Sequence, residues 1–157
     1  MRRVHGWLGA ESNDPDDGAP FVGVRLTYDA ASYSVDFMID TGSDATILMP
    51  EDAHWVFDDH YFEMDFRSHP ESVPLQGIGE REIYMTPLEA TLVLTDDTDS
   101  PIELAQRIWI AEPLPDYRSE EGNWLVPSLF GRDAIRPGEF ELSYVNRTVT
   151  LIRPENE

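Results

Sequence analysis

The chain reads as an all-β protein, mainly antiparallel, with one or two short helices. Three observations predict this. Residues 21–28 and 33–39 alternate with a period of two and are rich in β-branched and aromatic side chains, which suits a pleated strand better than a helix. Turn-forming segments at 29–32, 95–100 and 145–147 each separate two such runs, as hairpins require. Helix signals are confined to 50–57, with proline in the first turn and acids near its start, and to a short stretch after Gly131.

Along the chain, residues 1–19 are expected to be a flexible acidic lead-in, because 11–20 combine acids with Asn, Gly and Pro. Residues 20–157 are expected to form one domain. Val22, Val24, Leu26 and Tyr28 share one face of the first strand. Tyr33, Val35, Phe37 and Ile39 share one face of the second, which ends at Asp40. A short apolar run, 46–49, leads into the first helix, and residues 58–73 show no clear period. Residues 75–79 form a glycine-flanked apolar tip. Residues 82–94 and 102–110 read as strands around an acidic turn, and 113–123 as a polar loop. Residues 129–130 are a strand end before the second short helix, and 140–144 with 148–152 make a closing hairpin.

With 157 residues, the chain can bury a core without help from a disulfide or metal. It has no cysteine, which excludes disulfide frameworks, cysteine nucleophiles and thiolate metal sites. Charge is the outlier: 31 acidic residues face 11 basic ones, all arginine, for a net charge of −20. Nucleic acid and anionic membrane are poor partners for such a surface and neither is expected, since binding phosphate needs clustered cations. The acidic surface fits a high-salt cytoplasm, where screening suppresses self-repulsion; arginine-favouring codon usage with selection for solubility gives the same composition. No run of 18 apolar residues offers a membrane span. The apolar stretch near the start is short and glycine-broken, unlike a signal peptide, so the expected location is the cytoplasm.

The chemistry concentrates at Asp40-Thr41-Gly42-Ser43. Asp-Thr-Gly by itself also fits an ordinary turn after a strand. Its context is more telling: a strongly apolar strand delivers the aspartate, and apolar residues resume at Ile47 and Leu48. A carboxylate set between two buried strands is partly desolvated and costly unless partnered.

With these residues in view, the chain resembles the retropepsin-like aspartic proteases, the single-domain relatives of pepsin. Three motifs match in order: the apolar strand with Asp40-Thr41-Gly42-Ser43-Asp44, the flap-like tip Gly77-Ile78-Gly79, and Leu129-Phe130-Gly131-Arg132-Asp133 before the last helix. The likeness spans roughly residues 20–153, with insertions on both sides of the flap. It implies an acid-protease-like closed β-barrel and an aspartic endopeptidase needing no cofactor. It also implies a homodimer acting on peptide or protein substrates, in which Asp40 meets its copy across a twofold axis. Two carboxylates that close share one proton and hold a water.

In the same reading Thr41 bonds the partner chain's backbone, and Gly42 lets substrate approach the main chain. Ser43 donates a hydrogen bond to the catalytic carboxylate, lowering its pKa. Asp44 and Arg132 form a buried ion pair supporting the active-site loop, with Gly131 and Asp133 as structural support. Glu80, directly after the flap tip, departs from the more glycine-rich family pattern. An alternative is a catalytically weak or inactive peptide-binding scaffold of the same fold. His54, His60 and His69 with Asp58 and Asp59 match no common ligand spacing, so no metal is expected.

Overall fold

The structure is a computed structural model that describes residues 1–9, 18–75, 83–113 and 127–155. Its strands, in order, are β1 (Arg2–His5), β2 (Trp7–Leu8), β3 (Pro20–Tyr28), β4 (Ala31–Ile39) and β5 (Ile47–Leu48). Helix α1 (Pro50–Phe57) and a 3-10 turn (Asp58–Glu63) follow. Next come β6 (Val73–Leu75), β7 (Ile83–Thr95), β8 (Pro101–Ala111), β9 (Ser128–Phe130), helix α2 (Arg132–Ile135), β10 (Glu139–Ser143) and β11 (Thr148–Arg153). The all-β expectation, with two short helices among the described residues, therefore holds.

Six strands close into a barrel in the order β3-β4-β9-β5-β8-β7, with β7 pairing back onto β3. Pairing is antiparallel except for β4 with β9 and β5 with β8. Closure hides the strand edges that an open sheet would expose. The period-two pattern sets which side chains enter: Val22, Val24, Leu26, Val35, Phe37 and Ile39 are buried, joined by Leu92, Leu94, Ile108 and Ile110 from the long β7–β8 hairpin. Phe37 and Phe130 meet edge to face, with centroids 6.3 Å apart, beneath the end of β4.

One sequence expectation changes. Residues 2–8 are not a lead-in. β1 pairs with β11, Arg2 opposite Arg153, and β2 pairs with the start of β3, Trp7 opposite Phe21. Val4 is buried in the main core. These strands owe their structure to distant partners, so the acidic, turn-rich stretch beside them masked a weak local signal. Residues 10–17 lie outside the described residues, as do 114–126, which hold most of the expected polar loop. Residues 58–73, without a clear period in the sequence, pack against the barrel: Tyr61 is fully buried and donates its hydroxyl to the Ala111 carbonyl, and Phe66 is buried beside it.

Candidate active site

Asp40 follows the last residue of β4, at the point where β4 runs parallel to β9. Its N–H donates to the Phe130 carbonyl at 3.0 Å, so the β4–β9 pairing places the residue. The chain turns at once: the Ser43 N–H donates to the Asp40 carbonyl at 3.2 Å, and the Gly42 N–H donates to Asp40 Oδ1 at 2.8 Å. That charge-assisted bond orients the carboxylate. A Cβ on residue 42 would sit 3.1 Å from the same oxygen, which makes glycine the residue that leaves this turn unobstructed. Thr41 and Gly42 are exposed on the surface and Asp40 is half-buried.

The second wall is the Gly131 segment. A side chain at 131 would drive a Cβ to 2.2 Å from the Ala45 carbonyl oxygen, so only glycine lets the two loops pack this closely. The Arg132 N–H donates to the Ser43 carbonyl at 2.8 Å, tying the loops together. Asp133 accepts the Thr46 hydroxyl at 2.7 Å and the Thr46 N–H at 3.2 Å, and the same hydroxyl accepts the Gly131 N–H at 3.2 Å. The structure thus brings Asp40, Thr41, Gly42, Ser43, Asp44, Gly131, Arg132 and Asp133 into one pair of interlocked loops. Gly77, Ile78 and Gly79 lie outside the described residues.

Two expected contacts are corrected. Ser43 Oγ donates to the Ala45 carbonyl at 2.7 Å, not to the Asp40 carboxylate. The local turn places that carbonyl two residues on, within easy reach of the hydroxyl. Arg132 does pair with Asp44, but the pair is not buried in this chain: the Asp44 side chain is 84% exposed. Such a pair contributes little, because water screens it. The Arg132 Nε, by contrast, is buried and has no hydrogen-bond partner.

Sequence reasoning missed three residues. Thr46, fully buried, joins the loops and was absorbed into an apolar strand run. Ser128, also fully buried, donates to Asp52 Oδ2 at 2.6 Å and accepts the Met49 N–H at 2.9 Å, fastening α1 to β9. Burial pushes the Asp52 carboxyl above its usual pKa; the Ser128 hydroxyl pulls it partway back, and the charge of Asp36 adds to the rise. A lone hydroxyl inside an apolar run was the available signal for Thr46. Outside this site, the fold brings His54, Asp58 and Asp59 together, while His60 faces Glu63 and His69 Nδ1 accepts the Glu71 N–H.

No protein-family profile and no curated protein matches the sequence. Solved structures do. A retropepsin-like aspartic protease from Rickettsia conorii is similar with a TM-score of 0.55 at 16% identity, covering 96% of this chain and 91% of that one. The EIAV protease complexed with the inhibitor HBY-793 gives 0.37 at 14% identity, over 82% and 92% of the two chains. The retroviral protease-like domain of Ddi1 from Leishmania major gives 0.41 at 15%, over 87% and 97%. At these identities the likeness is one of fold, and the fold is that of the retropepsin-like aspartic proteases. No helix among the described residues is long and apolar enough to cross a membrane.

Proposed function

We propose that the chain is an aspartic endopeptidase that works as a homodimer, each copy lending Asp40 to a shared two-carboxylate site. The observation that carries this reading is the commitment of the neighbouring acids. Asp44 faces Arg132, and Asp133 is occupied by Thr46, so neither is placed to pair with Asp40. Asp40 is the acid held by its own loop at the β4–β9 pairing, and a second copy supplies the matching carboxylate.

The chemistry then follows from like charges at close range. In the dimer the two Asp40 carboxyls, brought close, share one proton. The ionised one takes a proton from a water, whose oxygen attacks the peptide carbonyl carbon. The protonated one gives its proton to the carbonyl oxygen. Collapse of the tetrahedral species returns a proton to the amide nitrogen, breaks the C–N bond and releases an acid and an amine. Thr41, exposed beside Asp40, is open to contact from the second copy in this reading, and Gly42 leaves room for a peptide backbone.

A mixed peptide library incubated with the chain, with and without an inhibitor directed at aspartic proteases, tests this. The expected result is inhibitor-sensitive cleavage that falls by several orders of magnitude in Asp40→Asn, with the fold retained. Cleavage that survives in Asp40→Asn overturns the assignment. A folded wild-type dimer that binds peptide without cutting it supports the scaffold reading instead.

A further inference from the structure

The last turn of α1 and the start of the 3-10 turn carry a cluster that the protease reading does not use. His54 lies in the last turn of α1 and Asp58 is its C-cap, with a φ of 54°; the Asp58 N–H caps the helix by donating to the His54 carbonyl. Asp59 comes next, with Oδ1 3.8 Å from His54 Nε2. One ligand atom from each of His54, Asp58 and Asp59 lies within 4.8 Å of the others. The imidazole is seated edge-on against Phe62, with centroids 4.8 Å apart, which fixes the ring while its Nε2 faces Asp59. Glu51, His54, Trp55 and Asp58 line one open cavity that runs along the helix from its first turn to its C-cap.

Electrostatics makes the arrangement unusual. A helix C-terminus carries partial negative charge and favours cations, yet Asp58 and Asp59 stand there. The sequence has no arginine or lysine from residue 26 to residue 66, so the local chain offers no permanent cation. One neutral imidazole nitrogen with two carboxylates is a donor set for a borderline divalent ion. Magnesium and calcium prefer all-oxygen shells.

We propose that His54, Asp58 and Asp59 bind a divalent transition-metal ion of the zinc type, with water completing the shell. Closing the three ligands onto an ion at about 2.0–2.2 Å needs only side-chain motion, and the Asp59 side chain is 88% exposed and can supply it. The ion joins the end of α1 to the 3-10 turn whose Tyr61 is anchored in the barrel, so it stabilises the folded chain by mass action.

The test is a titration of zinc chloride into the full chain at neutral pH, with magnesium chloride in a parallel arm, read by calorimetry and thermal midpoint. Expected are one saturable zinc per chain, a midpoint raised by several degrees, and no comparable response to magnesium. Asp58→Asn and Asp59→Asn, both at exposed positions, should melt like the parent without metal and bind zinc at least about tenfold more weakly. His54→Gln should lose binding as well. Quenching of tryptophan fluorescence by cobalt(II), lost in Trp55→Phe, should place the ion at this cavity. Absence of saturable zinc binding overturns the proposal. So does zinc binding that both Asn variants leave intact, or an equal response to magnesium, which marks a counter-ion of the acidic surface.

Discussion

Ser43 spends its hydroxyl on the Ala45 carbonyl, and that contact decides what the residue can do. A hydroxyl so engaged stabilises the loop and is not donated to the Asp40 carboxylate. Ser43→Ala should therefore cost about 0.5–1.5 kcal/mol in a denaturant melt while leaving the acidic limb of a peptide-cleavage pH profile in place; an acidic limb moved upward would reinstate the hydroxyl as a partner of the dyad. Asp52 offers a test of opposite character. Its carboxyl is raised chiefly by burial, so the folded state holds its proton more tightly than the unfolded chain. Its contribution to stability is full below the ordinary value of 3.8 and is lost as pH rises through the raised value. Asp52→Asn removes the charge and its repulsion with Asp36, so its effect should be more favourable at pH 7 than at pH 3. Melts at both pH values check this, and an identical effect at each would contradict it. Asp40 stood out in the sequence because Asp-Thr-Gly ends an apolar strand. Thr46, Ser128 and Asp52 did not: a lone hydroxyl in an apolar run hints at Thr46, but the role of each is set by a partner 76 to 87 residues away.

Among the elements, the β3–β4 hairpin is the most fully legible: its alternation fixed both faces, and the register follows, with Val22 opposite Phe37 and Val24 opposite Val35. Helix α1 was legible from Pro50 and the acids after it. β1, β2 and β6 were not, since two to four residues hold too few periods to show alternation and are stabilised by the strands they join. The hairpin turn is tighter than the four-residue segment the composition suggested. Tyr28 pairs with Ala31, leaving Asp29 and Ala30 as the connection, with φ of 50° and 64°. A two-residue hairpin wants positive φ at both positions, which alanine adopts at a cost of about 1–2 kcal/mol. Part of that is recovered by glycine, so Ala30→Gly should stabilise the chain by about 0.5–1 kcal/mol. Thermal and denaturant melts measure it, and a loss of stability would mean that the turn is not of this type in solution.

For the whole molecule, the closed six-strand barrel brings residues from β4, β9 and the loops beside them to one place, and that convergence, not any single motif, defines the site. A chain with a net charge of −20 must overcome its own repulsion to pair with a copy. Salt shortens the screening length from about 10 Å at 0.1 M to about 3 Å at 1 M. Added salt should therefore tighten the proposed dimer and raise the proposed peptide cleavage, as sedimentation and activity at matched protein concentration would show; dissociation in molar salt would mean that ion pairs hold the interface.

The most direct measurement is a mixing experiment. Wild-type chain and Asp40→Asn are combined at fixed total concentration, well above that needed for pairing, and allowed to exchange before cleavage is assayed. If each site needs Asp40 from both copies, a half-and-half mixture pairs at random and retains about one quarter of the full activity. If each chain acts alone, it retains about one half, and the shared two-aspartate site is wrong.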